Sequence, residues 1–282
     1  MPIEDYGKGA IPRPPDPRDF KIASLGKLPP VDFNVGLRLS DPGNEDQGTS
    51  SSCVAQAFSY YHNQIHAANY SRRDLYARIF LPGGGAYLAS GAGQVAYVGQ
   101  ATRDEVPDPS PQTEANMEDK TGVNAAAEAS HKELAYYSLP GDIDTVAAAI
   151  KAFNGAVIGV TGSNPGWQDM ANPRPPKPGE KTWGHALYCM GYHLHNGLKC
   201  IIAKSSWCNE VAEHHININY FNAGATFDNL TLVPKGVSMA DQIITQAKGP
   251  ERRIVLKAAT EAQYEALCAV YGKDPSKIDE QL

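Results

Sequence analysis

Asp46-Gln47-Gly48-Thr49-Ser50-Ser51-Ser52-Cys53-Val54-Ala55-Gln56-Ala57-Phe58-Ser59 is the stretch from which the rest of the chain can be read. From Val54 the apolar residues Ala57, Phe58, Tyr61, Ile65 and Ala68 recur at the spacing of one face of an α-helix. The periodicity predicts a helix that starts at Cys53 and ends near Asn69, with Ser51 or Ser52 as N-cap. A thiol at a helix start sits beside unpaired N–H groups and the positive end of the macrodipole, which favours the reactive thiolate. Cysteine is also a common small buried side chain. A base elsewhere in the chain has to decide between these two readings.

The 282 residues, 42% hydrophobic and 20% charged, have the composition of a soluble globular protein with a sizeable core. A formal net charge of −6 without a dense Lys/Arg cluster argues against nucleic acid as a partner. No apolar run reaches the length of a membrane span. Met1-Pro2-Ile3-Glu4-Asp5 is not a basic segment followed by an apolar one, so no secretory signal is expected. The cysteines Cys53, Cys189, Cys200, Cys208 and Cys268 are sparse and odd in number, which suits the cytoplasm or another reducing compartment. With no route of export, Asn69-Tyr70-Ser71 and Asn229-Leu230-Thr231 are read as chance matches to the glycosylation pattern.

Residues 1–30 are dense in proline and are expected to form an extended arm on the surface. Val31 to Asp46 carries short apolar alternations and a turn at Asp41-Pro42-Gly43-Asn44. Ser71-Arg72-Arg73-Asp74 predicts a capped helix through Ile79, stopped by Pro82-Gly83-Gly84-Gly85. Ala86 to Gln100 reads as a further helix despite Gly91 and Gly93, and Thr102 to Thr121 as a surface loop. Asp142 to Phe153 is helical, with Asn154-Gly155 as its stop. The period then changes: Ala156–Val160 and His185–His193 are strand candidates, and Asn196-Gly197 is a hairpin turn leading into Lys199–Lys204. His214 to Tyr220 alternates as a half-buried strand. The order gives an α+β protein of two lobes, helical over about 45–153 and β-rich over about 154–235. Residues 236–282 read as an appended element: a helix at Met239–Ala247, a strand at Arg253–Leu256 and a capping box at Thr260-Glu261-Ala262-Gln263.

Gln47 six positions before Cys53, Ala-Phe-Ser along the helix, Gly184-His185-Ala186 and Lys204-Ser205-Ser206-Trp207 together resemble the papain-like cysteine peptidases. His185 follows Cys53 by 132 residues by subtraction, inside the roughly 130 to 150 of that family. The likeness covers about Val31 to Val233. It implies a two-lobed fold with an active-site cleft between the lobes, and an endopeptidase acting on an extended peptide or protein without a cofactor. Cys53 would be the nucleophile and His185 the acid/base, with the Gln47 amide and the Cys53 N–H as oxyanion donors. Gly83, Gly84 and Gly85 resemble the stretch along which substrate backbone pairs, against their reading as an ordinary loop. Gly184 lies beside the base, and Trp207 would shield the Cys–His pair from water.

The departures are specific. Where the family has Asn-Ser-Trp-Gly, this chain has Ser205 and Cys208 in the Asn and Gly places, so Ser205 becomes the expected, shorter orienter of His185. Val54 stands where the family has Trp, and Ser50 where it often has a disulfide cysteine. The family's long pro-segment is not seen, so only a short arm within residues 1–30 is available to block the cleft. Those losses keep open a catalytically weak binding or assembly protein, or a thiol enzyme that transfers the acyl group to an amine. His193, His195, Cys200, Cys208, His214 and His215 offer soft ligands, but their spacing fits no zinc module and strand alternation scatters them. No metal site is therefore expected.

Overall fold

The computed structural model describes residues 7–235 except 15, 18, 124–132 and 208–212. Cys208 and the elements expected within 236–282 lie outside these residues. The chain divides into two compact units, Met1–Gly236 and Val237–Leu282, and all the described residues belong to the first.

The helical elements come first. Helix α1 spans Cys53–His66 and ends at Ala67 in the left-handed conformation, three residues earlier than the apolar period suggests. Ser52 is its N-cap residue by position, yet its hydroxyl makes no cap bond. It is drawn instead to the Ser50 hydroxyl at 2.8 Å and the Gln56 amide at 3.1 Å. Helix α2, Arg72–Ile79, has the expected cap: Ser71 accepts the Asp74 N–H at 3.0 Å, a contact worth about 1 kcal/mol. Helix α3, Leu88–Gly93, runs into one π-helical stretch at Gln94–Val98. Gly91 is what permits this crossing. A Cβ there would lie 2.7 Å from the Phe58 ring and 2.9 Å from Val54, so α3 rests directly on α1.

The segment read as a surface loop differs from that expectation. It holds helix α4, Glu114–Glu118, and buries Val106 and Met117. Helix α5, Ile143–Phe153, is capped by Asp142, which accepts the Thr145 N–H at 2.8 Å, and stops at left-handed Asn154.

Seven strands form one antiparallel sheet in the order β2-β7-β3-β4-β5-β6, with β1, Leu37–Arg38, paired to the end of β4. The strands are β2 Leu134–Ser138, β3 Ala156–Ser163, β4 Thr182–His195, β5 Leu198–Lys204, β6 Glu213–Asn217 and β7 Thr226–Pro234. The Asn196-Gly197 turn joins β4 to β5 with both residues at positive φ (50° and 76°), the twist a two-residue hairpin requires. The strand expected through Tyr220 is shorter, because Asn217 caps a short helix α6, Ile218–Asn222. One core serves helices and sheet alike: Val54, Phe58, Leu75 and Leu88 pack with Val157, Tyr188, Met190, Leu230 and Leu232. Tyr61 ties the halves together, its hydroxyl lying 2.9 Å from Phe153 O, 2.8 Å from Thr231 Oγ1 and 3.1 Å from Leu232 O. Among the described residues no helix is long and apolar enough to cross a membrane.

Candidate active site

Helix α1 delivers Cys53 at its first residue, and strand β4 delivers His185, which pairs with Val160 of β3. Both side chains are fully buried. The Cys53 thiol is pushed up to about 11 by desolvation. The backbone N–H groups of Ala186, Gly9, Val54 and Ala10 bond toward the sulphur and pull the other way. Ala186 follows His185 on β4, so the thiol faces the strand that carries the proposed base. Burial holds His185 well below the usual imidazole value, with His214 and Lys8 adding charge repulsion. Each therefore stands neutral, one as thiol and the other as imidazole, and no hydrogen bond joins them.

Gln47 is buried and rigidly held. Its Nε2 donates to Ser50 O at 2.7 Å, its Oε1 accepts from the Ser206 hydroxyl at 2.6 Å, and its backbone N–H bonds Ser206 O at 2.9 Å. Those contacts orient the amide, and Ser206 was the residue the sequence did not single out. Glu114 was missed too: its carboxylate accepts the Ser51 N–H at 2.5 Å and bonds the Tyr76 hydroxyl, fixing the loop that precedes Cys53.

The expected Ser205–His185 hydrogen bond is not formed. Ser205 Oγ accepts the Trp207 N–H at 3.3 Å, and neither ring nitrogen of His185 has a hydrogen-bond partner among the described residues. A two-atom hydroxyl arm reaches its own backbone more easily than a ring across the site. What holds His185 is Trp207, stacked on it with centroids 3.9 Å apart and planes at 26°. Trp207 belongs to a cluster with Trp167 and Trp183, each within 5.4 Å of the others, and His214 packs on Trp167 at 4.9 Å. Trp183 stands two residues before His185 on β4 and shares its face, while Trp167 and Trp207 arrive from a 3-10 turn and a loop.

The proline-rich arm leaves the surface only at its start; from Pro12 to Pro30 its described residues are mostly exposed or half-buried. Gly7, Gly9 and Ala10 are buried, and residues 7–11 run through the site. Gly7 N–H bonds Gly48 O at 3.3 Å, and Gly7 O accepts Trp207 Nε1–H at 2.7 Å. Ala86 N–H donates to Gly9 O at 2.8 Å and Ile11 N–H to Ala86 O at 3.0 Å, giving a parallel bridge between Ala10 and Ala86. The fit needs glycine on both sides. A Cβ on Gly9 would lie 2.0 Å from Ser51 O, one on Gly85 2.5 Å from Gly9 O, and one on Gly184 2.0 Å from Ala10 O. Of the glycine stretch, then, Gly85 meets the arm, Gly84 faces Glu114 and Ser51, and Gly83 is open.

No protein-family model matches the chain, and no curated protein does. Solved structures do. Xylellain, a cysteine protease from Xylella fastidiosa, superposes with a TM-score of 0.64 at 21% identity over 82% of this chain and 97% of its own. Digestive procathepsin L 3 of Tenebrio molitor larval midgut gives 0.57 at 16% identity over 81% and 76%. Bromelain from Ananas comosus gives 0.53 at 16% identity over 73% and 100%. The fold is that of the papain-like cysteine proteases, two-lobed and α+β.

Proposed function

We propose that this chain is a cysteine endopeptidase whose cleft is closed by its own N-terminal arm. The observation that carries the reading is a length of extended backbone, Gly7–Ile11, paired with Ala86 and lying against Cys53, Gly184 and Trp207. A cleft that takes this segment has the shape and hydrogen-bonding edge for a substrate peptide.

With the arm displaced, water reaches the pair, and the desolvation that keeps Cys53 and His185 neutral is relieved. His185 takes the Cys53 proton. The thiolate attacks the scissile carbonyl, and the resulting oxyanion is met by the Gln47 amide and the Cys53 N–H. The imidazolium returns the proton to the leaving amine, leaving a thioester that a water, deprotonated by His185, hydrolyses to acid and free thiol. In the docked state the arm is an inhibitor and not a substrate. The Gly9 and Ala10 N–H groups face the sulphur. In a trans peptide the carbonyl points opposite to its N–H, so the carbonyls of those two linkages are turned away from attack.

A second reading rests on the orphaned ring of His185: a papain-like scaffold kept for binding or assembly, with little turnover. Transfer of the acyl group to an amine is a third outcome of the same thioester. The test uses Gly9→Ala, whose Cβ cannot coexist with Ser51 O. Bromelain is known in complex with the E64 inhibitor, and labelling by such a peptidyl epoxide is the readout. The variant is expected to label at Cys53 at least tenfold faster than the parent and to cleave peptides, with Cys53→Ala inert. A folded Gly9→Ala whose Cys53 reacts no faster than a free model thiol at pH 7 overturns the peptidase reading. Product masses in the presence of an amine separate hydrolysis from transfer.

A further inference from the structure

Strand alternation scatters the soft ligands of the second lobe over both faces, as the sequence suggests, but unevenly. His214 is buried against Trp167. His193 and His195 of β4 share the other face by the period of two, and His215 of β6 reaches over β5 to join them. His195 and His215 stack with centroids 4.1 Å apart and planes at 9°; His193 lies 4.9 Å from His215 and 5.5 Å from His195. His193 Nε2 and His215 Nδ1 are 3.0 Å apart, and one ring nitrogen of each residue lies within 4.8 Å of the other two.

We propose that His193, His195 and His215 bind one divalent transition-metal ion of the zinc class, with water as the fourth ligand. Tetrahedral coordination with metal–nitrogen bonds of about 2.0–2.1 Å sets donors roughly 3.4 Å apart. The His193–His215 pair already stands near that spacing, and the His195 ring, stacked on His215, turns about its side-chain bonds to aim its nitrogen at the same centre. The three rings are half-buried, so an ion can reach them. The charged neighbours Arg38 and Glu213 satisfy one another through bonds of 2.8 and 2.5 Å. They leave an all-imidazole donor set, which suits zinc, copper or nickel and not magnesium or calcium. The site stands at the opposite end of β4 from His185 and joins β4 to β6 across β5. An ion bound there holds three strands in register and stabilises the native state by mass action. It is independent of the chemistry proposed for Cys53.

The full chain carrying Cys53→Ala, which removes the candidate nucleophile as a competing ligand, is titrated with Zn²⁺ alone by calorimetry near neutral pH. It is then titrated with Co²⁺ while the visible spectrum is recorded. One equivalent is expected to bind with the Co²⁺ spectrum of a tetrahedral nitrogen–oxygen site. His195→Ala and His215→Ala, each, are expected to weaken binding at least tenfold and to abolish the rise in Tm that Zn²⁺ produces. Should His215→Ala fail to fold, His195→Gln, beside the solvent-facing hairpin turn, reads the same donor. The proposal is overturned by the absence of saturable binding, by affinities unchanged in these variants, or by thiolate charge-transfer bands that place the ion on a cysteine.

Discussion

At the scale of single residues, the support of His185, the proposed base, differs from the expected one. Ser205 turns to its own backbone, and an aromatic face, Trp207, holds His185 in place without giving either nitrogen a hydrogen bond. Gln47, the proposed oxyanion donor, is better fixed, with both ends of its amide hydrogen-bonded. Gln47→Ala in the arm-released protein is expected to lower kcat by about 10²-fold to 10³-fold, the usual cost of one oxyanion donor, with little change in KM in steady-state assays. Burial also gives a pH signature. His185 is held well below its ordinary value and His214 at about 4 against 6.5, so the unfolded chain binds protons that the folded chain refuses. Neither group costs stability above about 6.5; as pH drops below that the folded state loses stability to both, and the part due to His214 is complete by about pH 4. His214 alone accounts for about 3 kcal/mol at 1.36 kcal/mol per pH unit. Urea titrations at pH 7 and pH 5 check this, and replacing His214 by Gln should flatten the slope.

At the scale of elements, residues with a local mechanism were legible from the sequence. The Ser71 cap, the Asn154 stop and the Asn196-Gly197 hairpin each depend on neighbours a few positions away, and each stands where the pattern places it. The strands that escaped notice lack a clean alternation. β2 is an edge strand, half-exposed along most of its length, and β7 is broken by a register shift opposite Val157/Gly159 and by Asp228 at φ 45°. Cys53 and His185 as a candidate pair were readable from type and spacing. The path of the arm was not, because contacts between residues distant in sequence settle it; the turn of Ser205 to the Trp207 N–H is local and competes with the contact to His185 that the resemblance implied. The arm also gives a prediction that separates closure from catalysis. Gly184→Ala places a methyl 2.0 Å from Ala10 O and should expel the arm. Its Cys53 should react faster with iodoacetamide, a small reagent, while kcat/KM for peptides does not rise as it does in Gly9→Ala, since the new methyl also narrows the cleft.

At the scale of the whole molecule, helices and sheet share one core with a polar hub at Tyr61. Tyr61→Phe removes that hub and takes a donor from the buried Phe153 and Leu232 carbonyls, while the Thr231 hydroxyl keeps Gly155 O at 3.0 Å, a loss of about 1–3 kcal/mol. Calorimetry should show one cooperative transition at a lower Tm, and two resolved transitions would contradict the shared core. On the proposed peptidase reading, the two linkages whose N–H groups face the sulphur, Lys8–Gly9 and Gly9–Ala10, turn their carbonyls away from it in the docked state, so their cleavage falls to a second molecule. Maturation is then a reaction between molecules: progress curves should begin with a lag, and the lag should shorten as protein concentration rises or when a trace of already opened enzyme is added.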